Sequence, residues 1–242
     1  MINNQLKINE AADFLGLSID TLRRWDNNGK LKSLREKQGE HRYYNLSQLE
    51  EFLISSCIRL AKKWASSAIS EKPSNIFYCS DSSIFQGRLY KLRMALSKNK
   101  EIESFFSLLI SVVGEIGDNS FGHNLGNWPD VIGIFFAYDI KNKVIVLADR
   151  GQGILRTLKR VKPELSDDFE ALKVAFTEII SGRTPESRGN GLKYVRAVIE
   201  KNPVNLFFQS GEAELNLNKN NSILKIKKAK IFIKGCLAII RF

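Results

Sequence analysis

The sequence predicts an α+β protein built as two units. Three observations carry this. Residues 6–54 combine helix-period apolar positions with closely spaced turn residues. A connector closes at Pro73-Ser74. Beyond Ile76, helical patterns and an apolar hairpin precede a run of short extended segments that continues to Phe242. With 242 residues and a 43% hydrophobic fraction, there is enough chain for one or two domains and a sizeable core.

In chain order, Leu6, Ile8, Ala11, Ala12, Phe14 and Leu15 form the apolar side of a helix over 6–17, which Gly16 ends. Ser18 and Asp20 supply N-cap chemistry for a second helix through Trp25. Asn27-Asn28-Gly29 is a turn, Leu31–Leu34 and Arg42–Tyr44 read as extended, and Asn45 or Ser47 starts a third helix, Gln48 to Ile54. A helical continuation to about Ser67 then leads into the connector. The expected limits are 1–54 for the first domain, 55–75 for a linking helix and connector, and 76–242 for the second domain. In that second domain Ser83–Ser97, Glu101–Phe121, Asp167–Ile180 and Leu192–Glu200 read as helices. Val131–Tyr138 and Lys143–Ala148 flank the turn-like Lys141-Asn142 and suggest an antiparallel hairpin. Consecutive strands are expected at Val204–Gln209, Glu214–Leu217, Ile223–Ile226, Lys230–Ile233 and Leu237–Phe242.

Composition narrows the function classes. The most apolar stretch, Phe105 to Val113, is about half a membrane span, and the polar N-terminus has no secretory leader pattern. Cys57, Cys79 and Cys236 lack metal-ligand spacing. A reduced, cytoplasmic setting without membrane partners is therefore expected. The net charge is +11, yet residues 1–54 carry eight basic and eight acidic residues, so the excess lies in 55–242, with 29 basic against 18 acidic. Within the neutral part, residues 21–42 hold seven bases and three acids, enough for a basic face.

The N-terminal motifs are Ile8-Asn-Glu10-Ala11-Ala12, Leu15-Gly16-Leu17-Ser18, Thr21-Leu22-Arg23-Arg24-Trp25, Gly29-Lys30-Leu31 and Gly39-Glu-His41-Arg42-Tyr43-Tyr44. This stretch resembles the winged helix-turn-helix of the MerR and excisionase type; Ser33-Leu34 departs from it where the family often carries a proline. The resemblance implies binding of double-stranded DNA by Ser18, Thr21, Arg23 and Arg24 at the start of a recognition helix, with Arg42 and Tyr43 on a wing. Arginine suits both roles, since its fork bonds guanine or clamps phosphate. Trp25 reads as a core residue. A protein-binding module is the alternative for this fold.

In the second unit, Leu108, Val112, Glu115 and Asn119 fall on one stripe of the helix 101–121, beside apolar Leu109, Val113 and Ile116. A carboxylate and an amide in such a surface are costly unless paired or functional. Asp149-Arg-Gly151-Gln-Gly153-Ile154 follows an apolar strand, and Arg188-Gly189-Asn190-Gly191-Leu192 opens a helix. Taken alone, the second motif also fits a tight turn after a strand.

In this order, Glu115–Ser120 and the two glycine motifs resemble the N, G1 and G2 boxes of the GHKL ATPases, the family of gyrase, heat-shock chaperone ATPases and histidine kinases. The resemblance implies a Bergerat-type two-layer α/β sandwich with a mixed, largely antiparallel sheet, binding ATP and Mg²⁺. It makes Asn119 the metal ligand and Glu115 the catalytic residue that polarises the attacking nucleophile. His123 would face phosphate, and Gly122 replaces a basic residue common at that point. Asp149 would accept from the adenine amino group, with Gly151, Gly153 and Ile154 close to the base. Gly189, Asn190, Gly191 and Leu192 would hold phosphate at a helix N-terminus, with Thr184, Ser187 and Arg188 adding donors. The segment between Ile154 and Gly189 reads as an ATP lid, its Lys159, Arg160 and Lys162 either covering phosphate or simply solvated. The six lysines of Lys219–Lys234 read as protection of a sheet edge, with a basic face towards DNA or an acidic partner as the alternative.

Together these readings describe a regulator, expected as a homodimer, in which Mg-ATP binding or hydrolysis modulates DNA or partner-protein binding. The alternatives are a serine/threonine kinase of the anti-sigma-factor type and a pseudo-enzyme that binds ATP without turnover. Autophosphorylation on histidine fits less well, because His41 and His123 are the only histidines and neither lies on a dimerisation helix.

Overall fold

A computed structural model of the protein describes residues 5–15, 17–35, 41–69, 71–179, 190–219 and 223–242. The chain divides into two compact units, Met1–Cys57 and Ile58–Phe242.

The first unit contains β1 (Gln5–Lys7), α1 (Ile8–Leu15), α2 (Ile19–Asn27), β2 (Tyr43–Asn45) and α3 (Leu46–Ser55). The helix expected from residue 6 begins two residues later, because Gln5–Lys7 pairs antiparallel with Tyr43–Asn45. Glu10 accepts the Lys7 N–H at 2.7 Å and marks the switch from strand to helix. Ser18 caps α2 by accepting the Thr21 N–H at 3.2 Å. The far end of α2 closes over Gly29, whose φ of +77° favours glycine, while the Lys30 N–H reaches back to the Trp25 carbonyl at 2.9 Å. Leu31–Leu34 forms no strand; an isolated bridge joins Leu34 to Tyr43. Ala11, Ala12, Leu22, Leu31, Tyr44, Leu49 and Leu53 fill the small core, and Trp25 packs at a tilt against Phe52 with centroids 5.1 Å apart.

Among the described residues, the second unit is built on seven strands: β3 (Tyr78–Cys79), β4 (Ile134–Asp139), β5 (Val144–Asp149), β6 (Asn205–Ser210), β7 (Ala213–Leu217), β8 (Ile226–Lys228) and β9 (Cys236–Arg241). Their order is β3-β4-β5-β9-β6-β7-β8. Every pairing among the described residues is antiparallel, so the mixed sheet expected from sequence is replaced here by antiparallel ladders throughout. The final strand inserts between β5 and β6, which closes the sheet through residues nearly a hundred positions from β5. Lys230–Ile233 is not a strand. Gln209 Nε2 holds the Ile231 carbonyl at 2.7 Å, and the segment wraps the β6–β7 turn with Ile231 and Phe232 exposed.

One sheet face carries Ile134, Phe136, Ile145, Leu147, Leu206, Phe208, Ala238 and Ile240 into the main core. There they meet α5 (Ser82–Leu96), α6 (Phe106–Asn124), α8 (Asp168–Thr177) and α9 (Gly191–Lys201). The helix expected over 101–121 is broken: Asn99 caps a short 3₁₀ turn, Lys100–Ile102, and α6 starts only at Phe106. Gly117 lets α5 and α6 close up, since a Cβ there would lie 2.1 Å from Phe85 Cζ. The opposite sheet face is not left to solvent. The α4 helix (Cys57–Ser66), the helical continuation expected to about Ser67, lies over it: Trp64 packs 6.4 Å from Phe135, and Lys62 Nζ sits 5.2 Å from the Phe207 ring. β5 is consequently buried along its whole length. Among the described residues, no helix is long and apolar enough to cross a membrane.

Candidate functional site

In the first unit, the expected DNA-contacting residues divide by what already holds them. Ser18 and Thr21 share a hydroxyl–hydroxyl bond of 2.9 Å at the start of α2. Arg23 and Arg24 project into solvent on the same helix, Arg23 in a 3.0 Å exposed pair with Asp20. Such an exposed pair is weak enough to exchange for a phosphate. Arg42 is different: its Nε donates to Asp26 at 2.8 Å and its Nη2 to Asn27 at 3.4 Å. Tyr43 is half-buried in β2, opposite Lys7.

The centre of this arrangement is Asp26, which sequence reading passed over. Its carboxylate is buried, and it accepts from the Ser33 N–H at 2.9 Å and from the guanidinium groups of Arg42 and Arg35. Burial pushes its carboxyl up, but the Ser33 amide, Arg42 and Arg35 together outweigh this and hold it well below the usual carboxylate range. A lone Asp in a helix before an Asn-Asn-Gly turn gives no sequence signal of this. Only the fold brings residues 26, 35 and 42 together.

In the second unit, the three motifs meet at the C-terminal half of α6. Gly191, the first residue of α9, lies directly on the first motif: a Cβ there would be 2.9 Å from Glu115 Oε2 and 3.0 Å from Asn119 Nδ2. Ser120, one residue beyond Asn119, donates to Asp149 Oδ2 at 2.8 Å. Gly151 packs against Asn124, and the Gln152 N–H bonds Asn124 Oδ1 at 2.8 Å. A single helix thus collects all three segments. His123 is half-buried, and its carbonyl accepts from Gln152 Nε2 at 3.1 Å.

Asp149 closes β5 and is almost wholly buried. Burial raises its carboxyl to about 6, against the lowering pull of bonds from Ser120, the Gly151 N–H and the Cys236 N–H. Gly153 has φ +72° and starts α7 (Gly153–Leu158), while the Ile154 N–H is held by Ser210 Oγ at 2.9 Å. Among the described residues, the start of α9 has no side-chain cap from Asn190. Leu192 packs against the main core. A cavity of about 350 Å³ adjoins the Gly151–Gly153 loop, bounded also by Arg156, Asp168 and Lys234; Glu115, Asn119 and Gly191 do not line it.

The segment between Ile154 and Gly189, expected as a lid, contains folded core. Leu172 and Phe176 of α8 are fully buried, with Phe176 5.3 Å from Phe208. Lys162 is paired with Glu178 at 2.8 Å, and Arg160 bonds Gln152. Thr184, Ser187, Arg188 and Gly189 lie outside the described residues. Among those described, no group of three or more His, Cys, Asp or Glu side chains is placed to hold a metal ion.

Residues 6–56 match a family model described as a helix-turn-helix domain. The chain is also similar to the type II methyltransferase M.Eco47II of Escherichia coli, with 44% identity over 52 residues, which is 22% of this chain and 12% of that protein. The N-terminal unit is a helix-turn-helix domain, and the match spans only a small fraction of this relative's length.

Proposed function

We propose that the chain is a DNA-binding regulator whose second unit binds Mg-ATP, and that nucleotide binding or hydrolysis modulates its hold on double-stranded DNA or on a partner protein. The observation that carries the nucleotide reading is the meeting at α6: Gly191 against Glu115 and Asn119, and Ser120 on Asp149. Three motifs that resemble the GHKL boxes converge, although they are separated by tens of residues. A phosphate at the α9 N-terminus would meet the N–H groups of its first turn next to Asn119, the proposed metal ligand. Glu115, at the same place, is within reach of a nucleophile attacking that phosphate and suits a general base. Bound magnesium would neutralise phosphate charge there. On Asp149, three of about four acceptor positions are taken by protein donors, which leaves one for the adenine amino group.

The DNA half rests on the helix-turn-helix domain, with Arg23 and Arg24 as the exposed cations of α2. A homodimer would set two such helices on two half-sites.

The deciding experiment is a nucleotide titration with and without Mg²⁺, on the wild type and on Asn119→Ala. Binding should be stronger with Mg²⁺ in the wild type, and the variant should lose that increment. Glu115→Ala should keep ATP and lose turnover by about 10²–10⁴-fold. If the wild type binds no ATP under either condition, the nucleotide reading fails and the convergence at α6 is structural. Phosphate appearing on a partner protein instead of in solution would favour the kinase of the anti-sigma-factor type.

A further inference from the structure

Arg150 stands between Asp149 and Gly151, yet its side chain is fully buried and bonds to a different part of the unit. A buried guanidinium is tolerated only when its charge and donors are matched. Here Nε and Nη2 lie 3.1 and 2.6 Å from Asp130 Oδ2, while Nη1 donates to the Trp64 carbonyl and, at 2.8 Å, to the Ser67 carbonyl. Trp64 and Ser67 lie at the C-terminal end of α4, where carbonyls lack helical partners and the helix dipole favours a cation. The Ala65 carbonyl is taken by the Lys234 N–H at 3.0 Å, and Lys234 Nζ reaches Asp130 at 2.8 Å. The residues after Lys234 press on the second motif. A Cβ at Gly235 would lie 2.2 Å from Asp149 Oδ1, and the Cys236 N–H bonds that carboxylate. Besides Ser120 of α6, two segments hold Asp149, its own loop and residues 234–236, and these same two cap α4.

We propose that Arg150 is a positioning residue that ties the Asp149–Gly153 loop to the end of α4, so that occupancy of the loop is passed to the helix by which the chain leaves the helix-turn-helix domain. The ligand in this statement rests on the nucleotide reading; the tie itself does not. α4 follows α3 after Ser56 alone, so any change in α4 acts on the chain next to the DNA-binding helices. The physical basis is the absence of slack. A guanidinium with no exposed surface and four bonds to fixed partners cannot absorb a shift of its own backbone by changing rotamer. A shift at residues 149–151 moves Asp130 and the α4 carbonyls, or breaks their bonds.

The test uses the full chain and two substitutions. Arg150→Lys keeps the charge but loses the fork that spans Asp130 and two carbonyls. Gly153→Ala perturbs the loop directly, because φ at 153 is +72°. In the unliganded protein, hydrogen exchange at residues 62–67 should accelerate when Gly153→Ala is introduced into the wild type. Introduced into Arg150→Lys, the same change should leave 62–67 unaffected. With ligands, Mg-ATP should change DNA affinity of the wild type by a factor on the order of 5 or more, and Arg150→Lys should bring that factor towards one while still binding each ligand alone. If Gly153→Ala alters 62–67 equally in both backgrounds, or the coupling factor survives Arg150→Lys, the proposal is overturned. A wild type that binds no ATP ends the nucleotide reading, and the exchange cycle then decides the tie by itself. Should Arg150→Lys fail to fold, Asp130→Asn takes its place with the same expectations, since it weakens the anchor that aims Arg150.

Discussion

Asp149 shows how one residue combines a structural burden with a binding role. Its carboxyl, at about 6 in the folded protein against 3.8 for the free group, takes up a proton on folding between those values. The contribution of Asp149 to stability is therefore fullest below 3.8, falls as pH rises through the window to about 6, and stays lower above it. The decrement is roughly 3 kcal/mol. Asp149→Asn should flatten that slope and raise the stability of the unliganded protein at neutral pH, measured by urea denaturation on both sides of the window. The same substitution should narrow the preference for ATP over GTP, because an amide can turn a donor towards the adenine amino group. Equal affinity of the wild type for the two nucleotides would remove the adenine assignment. On the DNA side, Arg23→Ala with Arg24→Ala should cost about 1–3 kcal/mol for each side chain that reads a base, or reduce the salt slope by about one for each that holds a phosphate. Unchanged affinity over a salt series would make the domain a protein-binding module.

Pairs of helices set apart two glycines that look alike in sequence. Gly117 sits between α5 and α6 with Phe85 against it, and a methyl there would overlap a ring held in the core. Overpacking of this kind costs about 1–3 kcal/mol. Gly191 sits between α6 and α9, where the nearest described atoms a methyl would meet are the ends of Glu115 and Asn119. Gly117→Ala should therefore lower the urea midpoint, whereas Gly191→Ala should leave it nearly unchanged and abolish Mg-dependent ATP binding. The opposite pattern would mean that the α6–α9 contact is structural and unconnected with nucleotide. The broken start of α6 belongs to this scale too. Apolar spacing runs on through residues 101–105, but the Asn99 cap and the turn at 100–102 interrupt the helix before Phe106.

For the molecule as a whole, the regulator reading makes a thermodynamic demand. If ATP changes DNA affinity by some factor, DNA must change ATP affinity by the same factor. Titrating ATP with and without a selected DNA site, and DNA with and without Mg-ATP, should return equal factors different from one. Factors of one in both directions would describe two independent units on one chain, and binding or phosphorylation of a partner protein would then be the better account of the second unit.

The helix-turn-helix was legible from sequence because its signals are local: Ser18 before a helix, Asn28-Gly29 after it, and apolar residues at helix period. The hairpin of β4 and β5 was legible for the same reason, since alternation and a turn lie within one short stretch. What sequence could not supply were pairings across distance. Nothing near Arg150 indicates that it caps α4, and nothing near Asp26 indicates that Arg35 and Arg42 close on it. The place of the last strand between β5 and β6, and of α4 on the second face of the sheet, was equally hidden. Local patterns record the preferences of neighbouring residues along the chain. Buried charges, by contrast, take whichever partners the closed fold brings within about 3 Å, and only the tertiary structure decides which those are.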